Sequence, residues 1–298
     1  MALEPELFGV AVPGGDLRVA RWGEGPVVLA AHGITANHRC WTPLVRALGG
    51  AVTLVAPDLR GRGGSAGLGG PSGMNRHAGD LVAVLDHLGV GEAVVIGHSM
   101  GGFVAGAMAA EFPERVTAMV LVDGGLPLPV PAGLDVDEVL LAVIGPAMER
   151  LQRTFASRQE YEDFWRTHPA FGAPGAFNDD VVAYVQYDLE GDEPELRSRT
   201  SIDAVRGDSA DTLVPDLVAE RFARTRCPVT FLGAERGMFD QAEGLFPEEL
   251  VEAARQIRPD MTTETVAGTN HYTIVMSDAG AAVIADRLQR MLSLRTLG

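Results

Sequence analysis

The chain has 298 residues, 46% of them hydrophobic, and a formal net charge of −16 from 24 basic and 40 acidic groups. That acidity excludes nucleic acid and anionic membrane surfaces as partners, and the length fits one large domain with an insertion better than two full domains. Every basic residue is arginine, so Schiff-base chemistry on a lysine, and with it a pyridoxal mechanism, is excluded.

The first residues, Met-Ala-Leu-Glu-Pro-Glu-Leu, are acidic and lack the basic then apolar order of a secretory signal. Short apolar runs at 8–12, 17–22, 27–31 and 52–56 read as strands, the first two joined as a hairpin through Pro13-Gly14-Gly15-Asp16. Helix-like stretches at 41–48 and 74–88 surround the fourth strand, a strand at 93–96 follows, then a helix at 101–111 and a strand at 118–122. Beyond residue 215 the rhythm resumes with strands at 229–232 and 262–266 and helices at 247–256 and 279–292. Alternating strands and helices predict a mostly parallel sheet with helices on both faces. Between 126 and 215 the rhythm breaks. Helix-period segments at 137–144, 147–156, 159–167 and 179–189 replace it, after Pro127, Pro129 and Pro131. This stretch holds 17 acidic and 7 basic residues; it reads as a helical cap with a solvated acidic face. The expected organisation is a core of 1–125 and 216–298 with a cap at 126–215.

Residues 97–101 read Gly-His-Ser-Met-Gly directly after the fifth apolar run. Glycines on both sides of Ser99 remove the Cβ atoms that would clash in a sharp strand-to-helix bend, which leaves one hydroxyl exposed at a helix N-terminus. His32-Gly33 ends the third strand, Asp58-Leu59-Arg60-Gly61-Arg62-Gly63 follows the fourth, and Asn270-His271-Tyr272 follows the last. With these four motifs in this order the sequence resembles the α/β-hydrolase superfamily, specifically its capped, serine esterase-like members. The resemblance covers about residues 8–125 and 225–295. It implies an eight-stranded, mostly parallel sheet flanked by helices, with an inserted helical cap.

The resemblance makes Ser99 the nucleophile and His271 its base, an imidazole whose near-neutral pKa suits proton transfer. In related hydrolases the acid that orients the histidine stands three residues after the glycine ending the seventh strand. Here that glycine is Gly233 and the place holds Arg236, which cannot accept the imidazole N–H. Asp123, at the end of the sixth strand, is the first candidate, Glu235 the second and Asp240 the third. The oxyanion hole is expected from the backbone N–H groups of Ile34 and Met100. His32 is expected to hold its loop, His98 to pack behind the site, and the 58–63 turn to be structural. Trp41, Phe103, Leu126, Trp165 and Tyr272 are candidates for an apolar pocket between core and cap, with Met100, Phe171 and Tyr184 beside them.

The expected activity is hydrolysis of a carboxylic ester or lactone through an acyl-enzyme. Thioesters, carbon–carbon bonds and peroxide acceptors share the same machinery, and outside hydrolysis stand a biosynthetic cyclase or acyltransferase and a non-catalytic binding protein. A serine at 99 does not fit the aspartate nucleophile of dehalogenases and epoxide hydrolases in this superfamily. No cofactor is expected. Cys40 and Cys227 lie far apart without metal-ligand spacing, so no metal is expected and both read as reduced thiols of a cytoplasmic protein. A small ester-like molecule is the expected partner; no nucleic acid or membrane is, and the oligomeric state is open.

Overall fold

The computed structural model describes residues 4–128 and 136–295. Ten strands and eleven α-helices follow in chain order: β1 Glu6–Val12, β2 Gly15–Trp22, β3 Val27–Ala31, α1 Thr42–Leu48, β4 Thr53–Pro57, α2 Met74–His87, β5 Ala93–His98, α3 Met100–Glu111, β6 Val116–Val122, α4 Val136–Gln152, α5 Arg158–Arg166, α6 Asp179–Tyr187, β7 Leu189–Glu190, β8 Arg197–Ser198, α7 Ile202–Thr212, α8 Pro215–Arg224, β9 Val229–Arg236, α9 Glu248–Ile257, β10 Thr262–Asn270, α10 Thr273–Met276 and α11 Asp278–Arg295. Eight strands form one sheet in the order β1-β2-β4-β3-β5-β6-β9-β10. β1–β2 and β2–β4 pair antiparallel and the other pairs are parallel. This is the α/β-hydrolase fold.

The central strands β3, β4, β5 and β6 are buried on both faces, so they read as apolar runs, whereas β10 at the sheet edge is largely exposed. Val28, Ala30, Val94 and Ile96 point to one side, where α1, α10 and α11 pack; Leu29, Val95 and Ala93 point to the other, beneath α2 and α3. β3 neighbours both β4 and β5, so the chain order reverses between β3 and β5. Ligands of open α/β sheets bind outside the carboxyl ends of the strands at such a switch.

Four expectations need correction. The strand expected at 229–232 runs on to Arg236. The helices expected at 137–144 and 147–156 are one element, α4, bent at Ile144 two residues before Pro146, where the proline ring denies the preceding turn its regular geometry. A small ribbon, β7 with β8, stands where no strand was expected. α7 and α8 add two helices that the hydrophobic period did not reveal. The prolines expected to open the insertion at 129 and 131 lie outside the described residues. No helix among the described residues is long and apolar enough to cross a membrane.

Buried polar contacts seat the segment between β6 and β9 on the core. Asp208 of α7 pairs with Arg62 at 2.5 Å and with His77 Nε2 at 3.0 Å, all three fully buried. Asp208 and Asp211 also accept the backbone N–H groups of Gly73 and Met74 at 2.6 Å each. The glycine N-cap of α2 has no side chain to do this, so α7 supplies the caps from across the interface. Asp58 accepts from His38 N, His38 Nδ1, Gly64 N and Tyr187 Oη, all within 2.9 Å. Burial alone would raise its pKa, but His38 and these donors outweigh that and hold it at about 2.

Arg60 grips Asp80 through Nε and Nη2 at 2.9–3.1 Å, with both side chains almost wholly buried. Asp80→Ala leaves the guanidinium uncompensated and is expected to cost ~3–5 kcal/mol. Asp86→Ala removes a pair whose carboxylate is mostly exposed and is expected to cost at most ~1 kcal/mol. Urea unfolding of both variants checks the contrast; equal losses would contradict it.

Candidate active site

β5 delivers His98 to the sheet edge and the chain turns sharply into α3. Ser99 takes φ 53°, ψ −123°, a conformation that few side chains tolerate and that costs of order 1–3 kcal/mol. The bend closes because its flanking residues are glycines. A Cβ on Gly101 would lie 2.0 Å from Ala31 O, and one on Gly97 would lie 2.1 Å from Gly101 O. β3, β5 and α3 therefore meet backbone to backbone, and Gly33-Ile34 lies beside Ser99.

His271 follows β10 and is held by its neighbours. Asn270 Oδ1 accepts the N–H groups of Tyr272 and Thr273, while Asn270 Nδ2 donates to Ala170 O in the inserted segment. His271 Nε2 lies 3.1 Å from Ser99 Oγ, and its Nδ1 lies 2.6 Å from Asp123 Oδ2. Asp123 stands one residue past β6 at φ 45°, is fully buried, and takes a second hydrogen bond on Oδ1 from Ala234 N at 3.0 Å. The other candidate acids are elsewhere. Glu235 is exposed and accepts from Gly268 N; Asp240 accepts from Arg236 Nε and Asn270 Nδ2.

The two supporting histidines are neutral. His98 Nε2 donates to His271 O at 2.8 Å, and its ring lies 4.8 Å from that of His271. Burial, then the nearby His271, pushes its pKa well down. His32 Nε2 accepts from Leu59 N while Nδ1 donates to Gly33 O, so it ties the β3 loop to the β4 loop. Burial lowers its pKa to about 4. Arg62 extends this brace: Nε donates to Ile34 O at 2.8 Å, and Nη2 lies 3.9 Å from Met100 Sδ.

Two compartments meet at Ser99. The larger, about 140 Å³, is lined by Met100, Phe103, Leu128, Leu213, Leu245 and Phe246 among others. The smaller, about 50 Å³, is lined by His98, His271, Tyr184, Tyr272 and Val275 among others. Ile34, Ser99, Ile144 and Met238 border both. Of the expected pocket residues, Phe103 and Met100 line the larger compartment and Tyr272 and Tyr184 the smaller. Trp41, Leu126 and Trp165 line neither. Trp41 and Leu126 are fully buried in the packing on opposite sheet faces, and Trp165 stands edge-on behind Tyr272 with Arg150 over its ring. Phe171 packs behind Tyr272 as well. Ser209 and Thr212 on α7 and Leu213 at its C-cap also line the larger compartment, where i, i+3, i+4 spacing marks one helix face; Ile144 and Met238 carry no such signal. Among the described residues no group of three or more histidine, cysteine or carboxylate side chains could hold a metal ion.

A family model described as alpha/beta hydrolase fold matches residues 26–165. The chain is 38% identical over 143 residues to lipase LipV of Mycobacterium tuberculosis, 46% of this chain and 54% of that one. It is 35% identical over 107 residues to 2-(acetamidomethylene)succinate hydrolase of Mesorhizobium japonicum, 36% of this chain and 38% of that one. The matches thus span about half or less of these curated relatives. Among solved structures, E-2-(acetamidomethylene)succinate hydrolase superposes with TM-score 0.80 at 21% identity, over 97% of this chain and 99% of that one. A thioesterase domain from the curacin biosynthetic pathway gives 0.74 at 18% identity, over 96% and 99%. At such identities these two establish the fold.

Acid weakens a structure built on neutral imidazoles. His32 and His168 both sit at about 4, and burial is the main cause for each; an unfolded histidine sits near ~6.5. Between these values the unfolded chain binds more protons than the folded one, so stability falls as the pH falls. Stability is expected to be flat above pH ~6.5 and to drop by roughly 3 kcal/mol from His32 alone on approach to pH 4. Urea midpoints at pH 7, 5.5 and 4.5 check this; a constant midpoint would contradict it.

Proposed function

We propose that this chain, a member of the α/β-hydrolase superfamily, is a serine hydrolase that cleaves carboxylic esters or lactones through an acyl-enzyme on Ser99. The observation that carries the reading is the unbroken chain from Ser99 Oγ through His271 to buried Asp123, at 3.1 and 2.6 Å, at the mouth of an apolar cavity. The names lipase and hydrolase among the relatives agree with it.

Ser99 Oγ attacks the substrate carbonyl carbon while His271 Nε2 takes its proton. Asp123 keeps Nδ1–H on the far side of the ring and stabilises the imidazolium that forms. The carbonyl oxygen, now an anion, meets the N–H of Met100, the first residue of α3, and the N–H of Ile34 from the β3 loop. Arg62 and His32 hold the β3 loop still, so those donors need no rearrangement when charge develops. Collapse breaks the acyl–oxygen bond, and the proton on His271 passes to the departing oxygen. Water, giving its proton to the same Nε2, attacks the acyl-enzyme, and collapse frees the acid and restores Ser99. His98 stays neutral throughout, so no second positive charge opposes the imidazolium.

Ser99→Ala is expected to abolish both turnover of p-nitrophenyl butyrate and labelling by a fluorophosphonate. Asp123→Asn is expected to lower kcat by up to ~10⁴, whereas Glu235→Gln and Asp240→Asn are expected to stay within a few-fold. Unlabelled Ser99 in folded protein would sink the reading; full activity in Asp123→Asn would reassign the acid.

A further inference from the structure

We propose that the substrate is an uncharged ester whose apolar acyl chain fills the larger compartment and whose small alcohol part occupies the smaller one, beside His271. This rests on the serine hydrolase reading and names the substrate class of that same site.

The orientation follows from where the proton must go. The departing oxygen takes its proton from His271 Nε2, so the alcohol half lies on the histidine side of Ser99. His271, His98 and Tyr272 border the smaller compartment and not the larger; Met100, Phe103 and Phe246 border the larger and not the smaller. The acyl half therefore turns toward the N-terminus of α3 and runs between Phe103 and Leu213. The two volumes, about 140 and about 50 Å³, make the site asymmetric: the long half is the acid and the short half is the alcohol. Ile144, at the bend of α4, and Met238 stand at the partition.

The absence of charge follows from the lining. Among the described residues that border the larger compartment, Asp123 is the one ionisable group, and both its oxygens are occupied by His271 and Ala234 N. No arginine borders either compartment among the described residues, and the chain has no lysine. Arg62 and Arg150, the nearest buried cations, are already paired with Asp208 and Asp188. Outside the described side chains Arg295 alone is basic, and it ends α11, which packs on α1. A substrate carboxylate in this cavity would thus be buried without a counter-charge, against an apolar wall, at a cost of several kcal/mol.

Two substrate pairs test this with the native enzyme. Methyl octanoate and heptyl acetate have the same formula and opposite polarity about the ester; methyl octanoate is expected to be preferred at least ten-fold in kcat/KM. Methyl hexanoate is expected to be preferred at least a hundred-fold over the similarly sized anion of monomethyl glutarate. Equal or reversed preference in the first pair overturns the orientation, and efficient hydrolysis of the anion overturns the neutral class. Fluorophosphonate labelling of Ser99, run in parallel, separates the layers. A labelled enzyme that hydrolyses none of these esters refutes this inference and leaves the serine reading standing; an unlabelled one refutes the reading beneath it.

Discussion

Three backbones meet in contact at the carboxyl edge of the sheet, and the site depends on that meeting. The carbonyl of Ala31 lies where a side chain on Gly101 would have to be. Ser99 is thereby driven to positive φ at the start of a helix, where its hydroxyl faces His271 Nε2. The β3 loop is brought close by the same contact, and its Ile34 borders both compartments beside Ser99. No side chain performs this positioning; it is a steric consequence of missing Cβ atoms. It also explains why α3 is apolar all round: the helix is pressed between the sheet, α2 and α8 and has no wet face.

A second layer fixes what the elbow leaves loose. His32 bridges two loops, Arg62 reaches Ile34 from the opposite side, and Asp208 answers the charge of Arg62 from the inserted segment. Breaking a buried ion pair costs more than forming one gains, so these contacts govern where α7 sits more than how tightly it is held. One acid thereby joins the seat of α7, the N-terminus of α2 and the loop beneath the site. Arg62 alone thus connects Asp208 of α7 to Ile34 O, and Leu213, the C-cap of α7, borders the larger compartment.

Legibility in the sequence follows how local each constraint is. The bend at Ser99 is written in five consecutive residues, and His271 follows a strand whose edge is shared, so their proximity could be read. The mostly parallel sheet was legible for the same reason: its central strands, β3 to β6, are short apolar runs wet on neither face. Which of three carboxylates faces His271 was open because that depends on how far β9 runs. Its continuation to Arg236 leaves Glu235 out in solvent, and no residue before Gly233 announces that. The pocket aromatics were legible only in part, for a related cause. Phe103 and Tyr272 border the cavity, but Trp41 and Trp165 have the composition of a binding site and sit behind it, while further lining comes from single positions on α4, α7 and the loop after β9. Such positions are set by how the insertion docks, a long-range outcome that no local spacing encodes.

The placement of the acid after β6 has its own physical logic. Asp123 leaves the strand at φ 45°, a conformation that aspartate adopts more readily than most residues. That turn swings its carboxylate back over the sheet edge toward His271, while its own N–H still bonds to Leu232 O as a continuation of the ladder. β9, the next strand over, returns the favour through Ala234 N to Oδ1. The buried carboxylate is then held by Ala234 of β9 on Oδ1 and by the imidazole on Oδ2. An acid on the loop after β9 would lie farther along a solvent-exposed stretch, where Asp240 is instead tied to Arg236. Asp123, one strand inward, is fully buried where Asp240 is partly exposed. Among the described residues that border the larger compartment Asp123 is the one carboxylate, and its Oδ2 faces His271 Nδ1.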